Sequence, residues 1–272
     1  MPSGIATSIL ADLHVVDAER QKRLADPRLS ARVVALKTFQ QSRFKHTYAD
    51  LLESKRYGPA AHFFLDELYG PEDFSRRDSQ FARVVPALVR LFPHEIVETV
   101  ATLAELHALS EMLDTALASR LPGVEFEPIE YGRAWRATGH ASDRQRQINL
   151  TLGVSNRLDS LTRRPWLRSS LRLMRGPAKA AGLAELQAFL EAGFDTFRSM
   201  RGAEDFVAMV ATREQAFATT LFTTDFDDLD GPAAIKQTLL LLPSALDIVR
   251  VRIMPNHPKQ GPPKPLISSI KR

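Results

Sequence analysis

The chain has 272 residues, 44% of them apolar and 25% charged, with no cysteine and a formal net charge of +4. This is an ordinary globular composition with enough length for a sizeable core. It excludes a disulfide scaffold, a thiolate-bound zinc or iron–sulfur centre and a cysteine nucleophile. The opening MPSGIATSILADLHVVDAER lacks a basic n-region and is interrupted by Asp12 and His14, so no signal peptide is expected there. No apolar stretch is long enough to span a bilayer. The expectation is a cytoplasmic protein with no membrane association.

Strand-like alternation is scarce, and helical periodicity recurs along the chain. Asp26-Pro27 places an N-cap and an N1 proline ahead of a helix expected to reach about Ser54. Tyr57-Gly58-Pro59 opens a short helix that Gly70-Pro71 closes. Ser75 and Asp78 are spaced as a capping box. The helix that follows carries Pro86, where it should bend or break. A long helix is expected from Phe92-Pro93 to about Arg120, stopped by Leu121-Pro122-Gly123. Further helices fall near 129–137, 142–163 and 165–175. Gly176-Pro177 and Gly182 mark the next join. Two amphipathic helices, near 183–200 and 203–222, flank Gly202, and a last helix near 232–242 is halted by Pro243. The predicted fold is all-α: a multi-helix bundle of about eight to ten helices forming a single domain over 1–253. Residues 254–272 are Pro-rich and basic and read as a disordered tail.

The stretch from Phe63 to Asp78, reading FFLDELYGPEDFSRRD, resembles the signature of the FFLEELY-motif proteins, a family of uncharacterised bacterial proteins. Asp66 replaces the first Glu of that string. The run Phe197-Arg198-Ser199-Met200-Arg201-Gly202, with Arg213-Glu214 downstream, is similar to the C-terminal half of the same family. The resemblance covers roughly residues 25–225. It implies a family and no reaction.

Charged residues on apolar helical faces are the candidate functional residues, because successive helical positions rotate by roughly 100°. Glu67 projects into the arc formed by Phe63, Phe64 and Leu68. It is either an edge residue reaching water or a buried carboxylate that needs a partner. His62, Asp66 and Tyr69 share the opposite face. That face offers helix support or an oriented general base. His107 lies in the stripe of Ile96, Val100, Leu103 and Ala104. It reads as a core histidine bonded to a carbonyl or carboxylate, or as a haem or metal ligand. No Glu-x-x-His pair accompanies it, so no metal site is assigned. Arg213 interrupts the stripe of Phe206, Met209, Val210 and Phe217. An interior arginine is rare unless paired, and Glu67 is the first candidate partner. Removing such a buried partner would cost roughly 3–5 kcal/mol. Gly193, on the apolar side of its helix, points to a close helix approach.

From Glu130 to Lys179 there are eleven Lys/Arg against three Asp/Glu, and the segment 200–235 is acidic. Arg133, Arg136, Arg164, Arg168 and Arg172, with Trp135 and Trp166 among them, are candidates for a phosphoanion or nucleic-acid patch. The competing readings are a solvated face, or arginines paired with the acidic segment. No helix-turn-helix, zinc-finger or RNA-binding signature is present. P-loop, Gly-x-Gly-x-x-Gly and Gly-x-Ser-x-Gly motifs are absent too. The primary expectation is a helical binding or regulatory protein with an internal polar network near the FFLDELYG helix, facing a small ligand or a protein partner. The alternatives are a phosphoanion binder through 130–179, and a helical haem protein or enzyme using His107 or His62. Cofactor and oligomeric state are not legible.

Overall fold

The computed structural model describes residues 2–67 and 74–226. Tyr69, the Gly70-Pro71 stop, the acidic run at Asp227, Asp228 and Asp230, the helix expected near 232–242 and the tail 254–272 lie outside the described residues. Within them the chain forms twelve α-helices and no strand. In order these are α1 (Pro2–Ala25), α2 (Pro27–Thr47), α3 (Ala49–Glu53), α4 (Gly58–Glu67), α5 (Ser75–Leu91) and α6 (His94–Arg120). They continue with α7 (Pro128–Thr138), α8 (Ala141–Thr162), α9 (Pro165–Leu173), α10 (Arg175–Ala180), α11 (Ala184–Ser199) and α12 (Glu204–Thr223). Among the described residues no helix is long and apolar enough to cross a membrane.

The all-α class follows from the sequence pattern, and several boundaries follow from local chemistry. Asp26 Oδ1 accepts from the amides of Arg28 and Leu29, at 3.0 and 3.1 Å, so the expected cap of α2 is present. The long helix stops at Arg120 as expected. Other features depart from the sequence reading. The helix expected to reach Ser54 breaks at Tyr48, which has φ −118° and ψ 26° and separates α2 from α3. The Tyr48 ring is fully buried, so tertiary packing overrides local propensity there. The Ser75–Asp78 box does not form. Phe74 is the N-cap, and Asp78 turns across to α1 and α6 instead. Helix α5 runs through Pro86 without a break. Helix α1, and short α10 at the Gly176-Pro177 join, were not separated out by periodicity.

Helix α6 is the hub, packing against α1, α2, α5, α7 and α8. One core lies between α2, α6, α7 and α12, built on Leu36, Phe39, Leu117, Tyr131 and Phe217. A second joins α2–α4 to α11 and α12 through Phe44, Tyr48, Leu65, Phe197, Met200 and Phe206. A third packs Ile9 of α1 on Val85 of α5 and Val97 of α6. Each large apolar side chain fully buried contributes about 1.5–3 kcal/mol. Gly193 of α11 explains itself. A Cβ there would stand 3.1 Å from the Phe63 ring of α4, so the glycine permits the close approach the sequence suggested.

Candidate functional site

Among the described residues, three polar networks are built on α6. In the first, Asp78 Oδ2 accepts from Arg20 at 2.5 Å and lies 3.0 Å from His107 Nε2. His107 is thus the carboxylate-bonded histidine of the simpler reading. Burial pushes the Asp78 carboxyl up, but His107 and Arg20 together hold it below the usual range. In the second, Glu111 accepts from Lys37 at 2.6 Å and also from Arg23. Burial again opposes ionisation, yet the two cations dominate and hold Glu111 down at about 2. In the third, Gln40 donates to the buried Asp114 at 3.2 Å. Burial raises Asp114 despite Lys37 and Arg144 nearby, and burial pushes the Tyr131 phenol up to about 12. Arg144 stacks 4.1 Å over the Trp135 ring and donates to Gln147 at 3.0 Å, and Gln147 donates to Ser110 at 2.8 Å.

The Glu67–Arg213 pair does not form. Arg213 reaches the α2–α3 junction instead, donating to both Asp50 oxygens at 2.7 Å and to the Thr47 carbonyl at 2.9 Å. Its side chain is 31% exposed and that of Asp50 is 56% exposed. The pair therefore resembles a surface bridge worth about 1 kcal/mol or less, rather than a buried one. The reason is rotation about α12. Phe206, Val210, Glu214, Phe217 and Leu221 follow the inward stripe, and Arg213 sits at its edge. Glu67 pairs with Arg77, which donates to its carboxylate at 3.4 Å and to its carbonyl at 3.2 Å and is sandwiched between the Phe74 and Phe189 rings. His62 and Asp66 are exposed, and no hydrogen bond joins them among the described residues.

Glu214 is the residue that the sequence reading missed. Its carboxylate accepts from both terminal nitrogens of Arg43, Nη2 at 3.2 Å, and from the Tyr48 hydroxyl at 2.6 Å. The Arg43 side chain is 5% exposed, and its guanidinium stacks 4.5 Å from the Phe217 ring centre. Consecutive residues Arg213 and Glu214 thus grip the break at Tyr48 from two sides. The signal was available, because the stripe that singles out Arg213 runs equally through Glu214. Arg43 similarly lies one turn after Phe39 on the buried face of α2.

Glu214 lines a cavity of about 50 Å³. The floor is buried: Phe44 and Tyr48 beside α3, Ser155 of α8, and Phe206 and Val207 of α12. The rim is half-buried: Phe64 of α4, then Gln147, Ile148, Thr151 and Leu152 of α8, and Val210 of α12. The Thr151 and Ser155 hydroxyls donate back to helix carbonyls at 2.8 Å, which leaves their oxygens as acceptors. Walls are apolar, and the polar atoms facing the space are acceptors in the main. The two strings that carry the family resemblance meet here, through Phe64 and Glu214.

The arginines of 130–179 are mostly engaged within the chain. Arg133 donates to the Phe226 carbonyl, and Arg136 to the Thr224 carbonyl and Asp225. Arg164 meets Glu95 at 2.6 Å, Arg168 meets Asp195 at 2.9 Å, and Arg175 holds Glu191. Arg146 meets Glu105 at 2.5 Å. Arg172 is exposed. No group of three His, Cys, Asp or Glu side chains among the described residues is placed to hold a metal ion.

No curated protein and no solved structure gives a significant match to this chain. A family model does match, over residues 19–228. That span runs from the end of α1 to just past α12 and contains the cavity and all three networks. The chain belongs to the family described as a domain of unknown function, DUF8198.

Proposed function

We propose that this chain is a small-molecule binding protein, and that the Phe64–Glu214 cavity receives the end of its ligand. The observation carrying this reading is the cavity itself. Its floor is aromatic and aliphatic, and at its side stands a carboxylate already fixed by Arg43 and Tyr48. Interior packing normally leaves no such space, and ligand sites combine apolar walls with a few placed polar groups. The Glu214–Arg43 pair is neutral as a unit, so a further cation gains little and must shed its water. A neutral donor, hydroxyl or amide N–H, satisfies the acceptors of Glu214, Thr151 and Ser155. The volume accommodates a branched alkyl end rather than a whole metabolite, so the rest of the ligand lies at the Phe64 rim.

Native mass spectrometry of the protein purified from its own host tests this. A co-purifying neutral molecule, absent from a Val207→Phe variant that fills the floor, is the expected result. Identical spectra for parent and variant, both free of any adduct, would contradict it. The engagement of the 130–179 arginines by carboxylates and carbonyls speaks against placing the primary site there.

A further inference from the structure

A second concavity, of about 290 Å³, lies where the α11–α12 turn meets the α8–α9 junction. It is separate from the Glu214 cavity and differs in chemistry. Arg163, Arg198 and Arg201 line it, with Asp159 and the Thr162 side of α8. Asp159 and Glu204 both spend their charge on Arg163, at 2.5 and 2.8 Å. Arg198 and Arg201 are exposed and have no carboxylate partner among the described residues. They contrast with the arginines of α7–α9, most of which are already paired. The turn that carries them is pinned. Arg56 donates to the Met200 carbonyl at 2.8 Å and to the Gly202 carbonyl at 3.1 Å, so those two oxygens are occupied. Arg201 has φ 54° and Gly202 φ 118°. A left-handed non-glycine residue costs energy and persists only where surrounding structure imposes it. Here the cost sets a guanidinium at the mouth of a concave space.

We propose that this turn is a phosphate-recognition site for a small phosphorylated molecule, with Arg198 and Arg201 as the binding guanidiniums and Arg163 as a third, shared one. Planar guanidiniums bind phosphate oxygens in pairs. The space is a half-open concavity bounded by two helix junctions rather than a stripe along one helix face, which favours a discrete ligand over a polymer backbone. The chemistry matches the anion reading of the sequence, but of the 130–179 arginines only Arg163 takes part, and the two principal guanidiniums come from the α11–α12 turn.

Isothermal titration of the full chain with inorganic pyrophosphate at low salt tests the assignment. Saturable one-to-one binding is expected, weakened about tenfold in Arg198→Ala and again in Arg201→Gly, and unchanged in Arg172→Ala. Arg201→Gly separates binding from folding, because glycine adopts φ 54° without strain. That variant should melt no lower than the parent while losing pyrophosphate. Equal affinity in parent, Arg198→Ala and Arg201→Gly would overturn the proposal, as would no heat at millimolar pyrophosphate. A single-stranded oligonucleotide that binds more tightly than pyrophosphate, and is lost in the same variants, would overturn the small-molecule assignment.

Discussion

Glu111 and Asp114 stand one turn apart on α6, and both are buried, yet their environments push them in opposite directions. Glu111 faces Lys37 and Arg23, and is held down at about 2 against an ordinary 4.5. A depressed carboxylate contributes stability that is present above its unfolded value and lost as pH falls through the folded one. The Glu111 contribution should therefore fade between about pH 4.5 and pH 2. Asp114 is raised by burial. The sign reverses: its ionised form costs stability once pH exceeds the ordinary aspartate value. Glu111→Gln should thus destabilise by about 3–5 kcal/mol at neutral pH, leaving two cations unpaired in the interior. Asp114→Asn keeps an acceptor for Gln40 and should be neutral or stabilising at pH 7. Chemical denaturation at pH 7 and pH 3 checks both. Similar losses in the two variants at pH 7 would contradict the contrast. These assignments were only partly legible beforehand. His107 stood out because its stripe is otherwise apolar, whereas Glu111 and Asp114 acquire meaning from α1 and α2, which one helix's periodicity does not reveal.

Elements show the same division. Asp26-Pro27 and Leu121-Pro122-Gly123 mark helix ends through local chemistry, and the structure follows them. Tyr48 breaks a helix that local preference would continue, because its hydroxyl is held by Glu214 and its ring is buried with Phe44. Ser75 and Asp78 have capping-box spacing, but the half-buried His107 and Arg20 compete for the Asp78 carboxylate and win. Long-range partners decide both cases. Arg213 is expected to pair with a buried carboxylate, Glu67 first, and instead pairs with the exposed Asp50 just past the α2–α3 break. Helix α7 provides a test at this scale. A Cβ on Gly132 would lie 2.3 Å from the Phe226 ring, which is itself buried. Gly132→Ala gains helix propensity of about 1 kcal/mol, but the overlap displaces an aromatic anchor. A net loss of about 1–3 kcal/mol is expected. A variant as stable as the parent would mean that Phe226 does not pack there.

At the scale of the whole molecule, the +4 net charge hides an internal compensation. The basic span from α7 to α10 is met by carboxylates from α6, α11, α12 and the residues after it. Most of these pairs are exposed and individually weak, but together they lower the field that an external polyanion would feel. The full chain should therefore leave a heparin column at low salt, about 0.2 M or less. Retention well above that would restore the 130–179 segment as a polyanion surface. The all-α class was readable because periodicity is a property of each helix alone. The cavity was not, because it arises where α4, α8 and α12 fail to fill the space between them, and its carboxylate is noticed only when Arg43 and Tyr48 are seen to converge on it.

Methyl-resolved NMR shows whether that cavity takes a ligand. Isobutyramide, a branched alkyl group bearing an amide donor, should shift the methyl signals of Val207, Val210, Ile148 and Leu152 saturably. Isobutyrate should shift them far less, since its carboxylate would face Glu214, and Val207→Phe should abolish the response. Methyl signals that stay fixed with isobutyramide, or that move equally with isobutyrate and in Val207→Phe, would contradict the account.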